Sequence, residues 1–280
     1  MSPLSTRLGT AGLLAAGLFA GLPTPAHAEI YAACTGFIDS LPSVITEQGN
    51  WCLRKDLSTA ITTGRAIHID ANNVTLDCNG FKVGGLAAGP GSTAEGIYAA
   101  NQFNATVRNC TVRGFENGIY LHGGGHLVED NRIESNLYTG VQMYGDGNLV
   151  RRNRILDTGG ATGGTASNGF YGHADLIDNT IAGIFTAAPD GNAIGMYLSG
   201  DNLEISGNRI RGLVSDEPTG IIVAGAGVTL RGNNLSTVAL VPVGTGIGGS
   251  GAATACVRNT VAGFNTAYSS CEGSAGNLAP

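Results

Sequence analysis

A spacing of 13 residues from a glycine to an asparagine recurs along this chain and restricts its fold more than any other feature. It relates Gly118 to Asn131, Gly140 to Asn153, Gly195 to Asn208, Gly220 to Asn233 and Gly246 to Asn259. Ala66 to Asn79 keeps it with alanine in place of glycine. Two segments are less regular: the one from Gly96 ends in Asn109-Cys110, one residue longer when counted to Cys110, and the segment ending Asn179-Thr-Ile181 lacks a clean glycine start. Within each repeat, aliphatic residues alternate with polar or aromatic ones. Ile119 and Leu121 alternate with Tyr120 and His122, the period-2 pattern of a strand with one buried side. A Gly-rich turn follows at Gly123–Gly125, then a second strand such as Leu203-Glu-Ile205, then a bend at the asparagine into a third short strand ending at Ile133.

Three strands per repeat, each repeat stacked on the last, give three parallel sheets around one continuous apolar interior. The chain is therefore expected to be all-β, a right-handed parallel β-helix of about eight coils with a ladder of stacked Asn amides. The asparagines suit the left-handed backbone of a sharp bend, and stacked amides satisfy one another. Coil lengths of 21 to 31 residues vary almost entirely after the third strand, in the connections 82–95, 157–168, 182–193, 212–219 and 236–245. An antiparallel sandwich would favour Asn-Gly hairpins, and a left-handed hexapeptide helix would need a period near six; neither pattern is present.

The ends read differently. Arg7, the apolar run from Leu8 to Leu22, and Ala26-His27-Ala28 after Pro23 and Pro25 form a secretory signal peptide over residues 1–28. The run is too short to span a bilayer comfortably, and no other is long enough, so no membrane span is expected in the mature protein. Residues 29–63 are expected to cap the N-terminal end, 64–262 to form the coils, and 263–280 to form a C-terminal cap or tail. Cleavage near Ala28 would deliver the protein to the periplasm or the medium. Without Arg7, 14 basic residues against 21 acidic ones leave a net charge of −7 and no basic run, which argues against nucleic acid as a partner. Six cysteines in an exported chain imply disulfides. Cys34–Cys52 and Cys256–Cys271 would staple the two ends. Cys78 and Cys110 lie one coil apart at nearly the same register, where stacked Cα atoms fall within disulfide range. No C-x-x-C pair occurs, and no metal or cofactor is expected; nothing in the sequence supports calcium.

The segment Asp70-Ala-Asn-Asn-Val-Thr-Leu-Asp-Cys-Asn-Gly-Phe81, followed by the Gly-Ile-Tyr and Asn-Arg-Ile coils, resembles the right-handed parallel β-helix proteins of the pectate-lyase-like superfamily over about residues 64–262. The resemblance implies the architecture. It also implies a polysaccharide lying along the outer face of the first strand of each coil, walled by the loops that enter it. On that face one outward column reads His68, Tyr98, Tyr120, Gln142, a residue near Tyr171, Tyr197, Ile222 and Gly248. Two residues further on, a second reads Asp70, His122, Tyr144, Ser199, Ala224 and Ser250. Tyrosine offers a flat apolar surface for a sugar ring and a hydroxyl for its edge. Aromatic columns also stabilise a parallel sheet by themselves, at about 0.2–1 kcal/mol per pair.

The columns hold neither the carboxylate pair of the superfamily's glycosidases nor the Arg or Lys base of its lyases. The sequence therefore favours an exported β-helix that binds a polysaccharide, acidic sugars included, through His68, Asp70, Tyr98, Tyr120, Gln142 and Tyr197. The alternative is a carbohydrate-processing enzyme, a lyase rather than a glycoside hydrolase, with His122 or Tyr144 removing the proton α to a uronate carboxylate. His126 and His173 read as turn or second-strand residues. Arg132, Arg154 and Arg209 read as a solvated stripe on the third sheet, and Gly145-Asp-Gly-Asn148 as a turn.

Overall fold

The computed structural model describes residues 31–186, 188, 190–237, 243–251 and 254–280; the expected signal peptide lies outside them. Each repeat closes one coil of a parallel solenoid. The first sheet has ten strands, running from Ser43–Ile45 through Glu95–Phe103, Asn117–Gly124 and Thr139–Tyr144 to Thr266–Tyr268. The second has eleven, from Gly36–Ile38 to Glu272–Ala275, and the third nine, from Leu57–Ser58 to Thr260–Ala262. Among the described residues every pairing between neighbouring strands is parallel, as a coil stacked on a like coil requires. The inward residues of one coil, Ile119, Leu121, Val128 and Ile133, are fully buried and lie in register with Val141, Met143, Val150 and Ile155 of the next.

Both expected end segments contain strands of their own. Ser43–Ile45, Gly49–Leu53 and Leu57–Ser58 lie inside 29–63 and add a strand to each sheet, and inside 263–280 Thr266–Tyr268 adds one to the first sheet and Glu272–Ala275 one to the second. The coils therefore run past 64–262 and number about nine. Trp51 packs against the interior and donates its indole N–H to the Glu47 carbonyl at 3.0 Å.

The bend also works differently from the expectation. The left-handed backbone belongs to the residue before the asparagine: Asp130, Arg152, Asp178 and Arg258 have φ between 54° and 56°, and Gly207 and Gly232 take the same place. The asparagine itself turns inward. Asn131, Asn153, Asn179, Asn208, Asn233, Asn259 and Asn277 form a continuous ladder, each side-chain amide donating to the next side-chain oxygen at 2.9–3.2 Å. At the start of the ladder Cys110 takes the asparagine position, giving its backbone N–H to the Asn131 oxygen at 2.9 Å, while Asn109 adopts the left-handed bend. The extra residue in that coil is absorbed by a register shift between His122 and Gly123 against Glu95–Phe103.

The repeat glycine has a reason other than a positive φ. A Cβ on Gly140 would lie 2.7 Å from the Gly169 carbonyl oxygen of the next coil, and one on Gly169 would lie 2.6 Å from that of Gly195. Only glycine lets successive coils approach this closely. The three expected disulfides form, with Cα–Cα distances of 5.9 Å for Cys34–Cys52, 4.7 Å for Cys78–Cys110 and 5.4 Å for Cys256–Cys271.

Candidate functional site

The outer face of the first sheet follows from strand alternation and from the register between coils. His68, Tyr98, Tyr120, Gln142, Tyr171, Tyr197, Ile222 and Gly248 stand one above another. Tyr171 is thus the residue between Gln142 and Tyr197. In the second column His122 stands beside Tyr144. His173 follows the strand Ala166–Gly172 directly, on the turn, with Nδ1 3.6 Å from a carboxylate oxygen of Asp146.

The aromatic rings form a continuous stripe. Tyr98 and Tyr120 stack with centroids 5.1 Å apart, and Tyr171 and Tyr197 stack at 4.8 Å. Tyr144 bridges the two pairs, edge-on to Tyr120 at 6.1 Å and to Tyr171 at 6.2 Å, and fills the gap left by Gln142 in the first column. His68 and His122 meet Tyr98 and Tyr144 edge-on at 5.4 and 6.2 Å. Gln142 Nε2 donates to the Tyr144 hydroxyl at 2.8 Å, fixing the bridging ring, and Gln102 Nε2 donates to Asp70 at 3.3 Å. Burial, then the neighbouring tyrosines, push the Tyr120 and Tyr171 phenols upward, so both stay protonated at neutral pH and present O–H donors beside flat apolar rings. Burial and then the Arg65 charge lower His68, which stays neutral.

Three charged residues escaped the column pattern because they precede the alternating part of the strand. Arg65 lays its guanidinium over the Tyr98 ring at 3.8 Å, so a cation does stand on this face. Glu95, in register with Arg65, accepts a hydrogen bond from Asn117 Nδ2 at 3.1 Å, while its other oxygen is buried without a partner. Burial pushes the Glu95 carboxyl up to about 7, Asn117 and Arg65 opposing and Glu116 adding to the rise. Burial also raises Glu116. The only sequence signal for these residues is their place immediately before the repeat Ala or Gly, or one residue earlier for Glu116.

The remaining candidates separate from the stripe. His126 lies inside the coil: its Nδ1 accepts the Ala105 backbone N–H at 3.1 Å, its backbone N–H donates to Asn148 Oδ1 at 3.0 Å, and burial lowers its imidazole to about 4, so it is a neutral structural residue. Arg132 pairs with Glu134, whereas Arg154 and Arg209 stand exposed on the third sheet. Beside the second column a cleft of about 610 Å³ is lined by Asp146, Asn148, His173, Asp175, Ser199 and Asp201, among others. Asp175 and Asp201 already accept backbone N–H groups there, from Glu204 and Ala226. Among the described residues no three His, Cys, Asp or Glu side chains converge on a point that would hold a metal ion.

Comparison with known proteins agrees with this architecture. A family model described as "Right handed beta helix region" matches residues 95–236, half of the chain. No curated protein sequence matches. Among solved structures, the Dettilon tailspike protein gp208 is similar at a TM-score of 0.50 and 18% identity, over 86% of this chain and 58% of that one. The chain thus spans less than two thirds of the tailspike. The A-module of the Azotobacter vinelandii mannuronan C-5 epimerase AlgE6 is similar at a TM-score of 0.42 and 11% identity, over 89% of this chain and 91% of that one. The catalytic unit of a GH87 α-1,3-glucanase from Streptomyces thermodiastaticus is similar at 0.41 and 13%, over 88% of this chain and 64% of that one. At these identities the likeness is one of fold.

Proposed function

This chain belongs to the right-handed β-helix family, and from that premise we propose that it is an exported protein that binds a polysaccharide along the outer face of its first sheet. The observation that carries the reading is the unbroken aromatic stripe from His68 to Tyr197, five tyrosines and two histidines in ring contact across successive coils. A sheet gains from such pairs, but sheet stability does not require the rings to be partly exposed on a face entered by the longest loops. Coils repeat about every 4.8 Å, close to the length of a sugar ring, so a glycan laid along the coil axis meets a ring at each step. Export rests on the leader-like residues 1–28 and on three disulfides, which persist in oxidising compartments.

The test is a calorimetric or affinity-electrophoresis screen of soluble polysaccharides against the mature protein and Tyr120→Ala. Binding by the wild type that weakens about tenfold or more in the variant, with little change in Tm, supports the reading; equal binding by both removes the stripe from the site.

The enzyme reading keeps one favourable observation, the edge-on contact between His122 and Tyr144 on adjacent coils. A lyase would generate unsaturated product that absorbs in the ultraviolet, and His122→Ala would abolish it while sparing binding. Binding without product leaves the binding reading standing alone.

A further inference from the structure

Alongside the aromatic stripe, three residues earlier in each strand, runs a third column: Glu95, Asn117, Thr139 and Asn168, one per coil and in register. Each carries a buried side-chain oxygen with no hydrogen-bond partner: Glu95 Oε2, Asn117 Oδ1, Thr139 Oγ1 and Asn168 Oδ1. These are four of the seven such atoms among the described residues, and they lie in one file. Asn117, Thr139 and Asn168 are 7%, 0% and 2% exposed. An unmade hydrogen bond at a buried polar group is costly, so a file of four is expensive for a column that serves packing alone.

The loops that lead into the first and last strands of this column form an arch. The loop after Lys82–Gly84 and the loop after Arg154–Leu156 belong to coils three steps apart, yet they touch: the Thr162 N–H and hydroxyl both donate to the Pro90 carbonyl, at 3.2 and 3.4 Å. Between them lie the two short turns that lead into Asn117–Gly124 and Thr139–Tyr144. The second loop is held on the latter turn by the Gly159 N–H to the Asn136 carbonyl and the Ala161 N–H to the Leu137 carbonyl. The Thr162–Pro90 contact is exposed, and glycines flank it at Gly89, Gly91, Gly163 and Gly164, so opening it disturbs little packing.

Resting on the glycan-binding reading above, we propose that the column Glu95–Asn117–Thr139–Asn168 beneath the Pro90–Thr162 arch is a hydrogen-bonding trough for the hydroxyl edge of an uncharged glycan whose rings lie on the neighbouring tyrosines. The unpartnered atoms set the ligand class. The Asn117 and Asn168 amide oxygens only accept, so the ligand has to supply donors to them, while the Thr139 hydroxyl and the Glu95 carboxyl can give or accept; sugar hydroxyls, which do both, fit all four. Asp70, Glu95, Glu116 and Asp146 stand on or beside this face against Arg65, whose guanidinium is engaged with Tyr98. A uronate carboxylate would face the acceptor oxygens of Asn117 and Asn168 and, among the four unpartnered atoms of the column, would find a standing donor only in the Thr139 hydroxyl.

The experiment compares neutral glycans (β-1,3-glucan, α-1,3-glucan and galactomannan oligomers) with polygalacturonate and alginate oligomers on the mature protein, Thr139→Val, Asn168→Leu and Tyr120→Ala. Expected is binding of a neutral glycan, weakened about five- to tenfold in Thr139→Val and Asn168→Leu while Tm holds or rises, because each replacement removes an unpartnered buried group. The Thr162 amide should exchange faster in the complex, because entry under the arch breaks its bond to Pro90. Unchanged affinity in both column variants with a raised Tm makes the column structural and overturns the proposal, as does unchanged Thr162 exchange with glycan bound. Binding of uronates alone overturns the ligand class. In these cases a Tyr120→Ala defect leaves the glycan face standing; if no glycan binds the wild type, both readings fall.

Discussion

Replacing Asn153 by leucine tests the amide ladder, the element on which the stacking of coils depends. Asn153 is 1% exposed and occupies the second rung. Its Oδ1 accepts both the backbone N–H and the side-chain amide of Asn131, each at 3.0 Å, and its Nδ2 donates to the Val128 carbonyl at 2.8 Å and to Asn179 Oδ1 at 3.2 Å. Asn131 Nδ2 keeps a second acceptor in the Val107 carbonyl, and Asn179 Oδ1 keeps the Asn153 backbone N–H, so those two groups remain bonded. Leucine matches the volume but leaves the Asn131 N–H and the Val128 carbonyl without these partners, at about 1–3 kcal/mol each. The total, about 3 kcal/mol, lowers Tm by about 6–12 °C for a body of this size. Differential scanning calorimetry of the oxidised mature protein gives the readout, with Asn277→Leu as the comparison. Asn277 ends the ladder and is only partly buried, so water replaces its lost bonds and the drop should be less than half as large. A Tm unchanged within a degree for Asn153→Leu, or equal losses in the two variants, would refute a ladder whose value comes from buried amides.

Other outcomes follow from the same geometry. Intact mass and alkylation without reduction should show six oxidised cysteines, with peptides joined as Cys34–Cys52, Cys78–Cys110 and Cys256–Cys271; any thiol alkylated before reduction contradicts this. Gly140→Ala should lower Tm by several degrees, since its Cβ meets the Gly169 carbonyl and Ile155, whereas Gly80→Ala, with open space around its Cβ, should lose only its share of left-handed strain. Glu95, with its carboxyl raised from about 4.5 to about 7, binds its proton more tightly folded than unfolded, so its contribution is retained below pH 4.5 and lost as the pH climbs through 7. Glu95→Gln should accordingly raise Tm at pH 8 and leave it nearly unchanged at pH 4; a pH-independent difference would show that the carboxyl is not shielded from water.

The sequence alone determined the coil and its two sides. Strand alternation is a local property with period 2, so Ile119 and Leu121 inside, and Tyr120 and His122 outside, could be read without knowing any neighbour. The recurring Gly–Asn spacing then placed Tyr98, Tyr120, Gln142 and Tyr197 in one column, and the structure keeps that register. The tertiary structure decided what depends on contacts between coils rather than along a strand. It moved the left-handed bend from the asparagine to the residue before it, because the inward position is needed for the amide ladder. It placed paired strands within the expected end segments, which the sequence could not show because Ser43–Ile45 and Leu57–Ser58 are too short to carry a period of their own. It brought Arg65 onto Tyr98 and buried Glu95, positions that precede the alternating segment and so carry no pattern. Above all it joined Pro90 to Thr162, 72 residues apart, because loop length is free in a solenoid and only packing shows which loops reach across the coils between them.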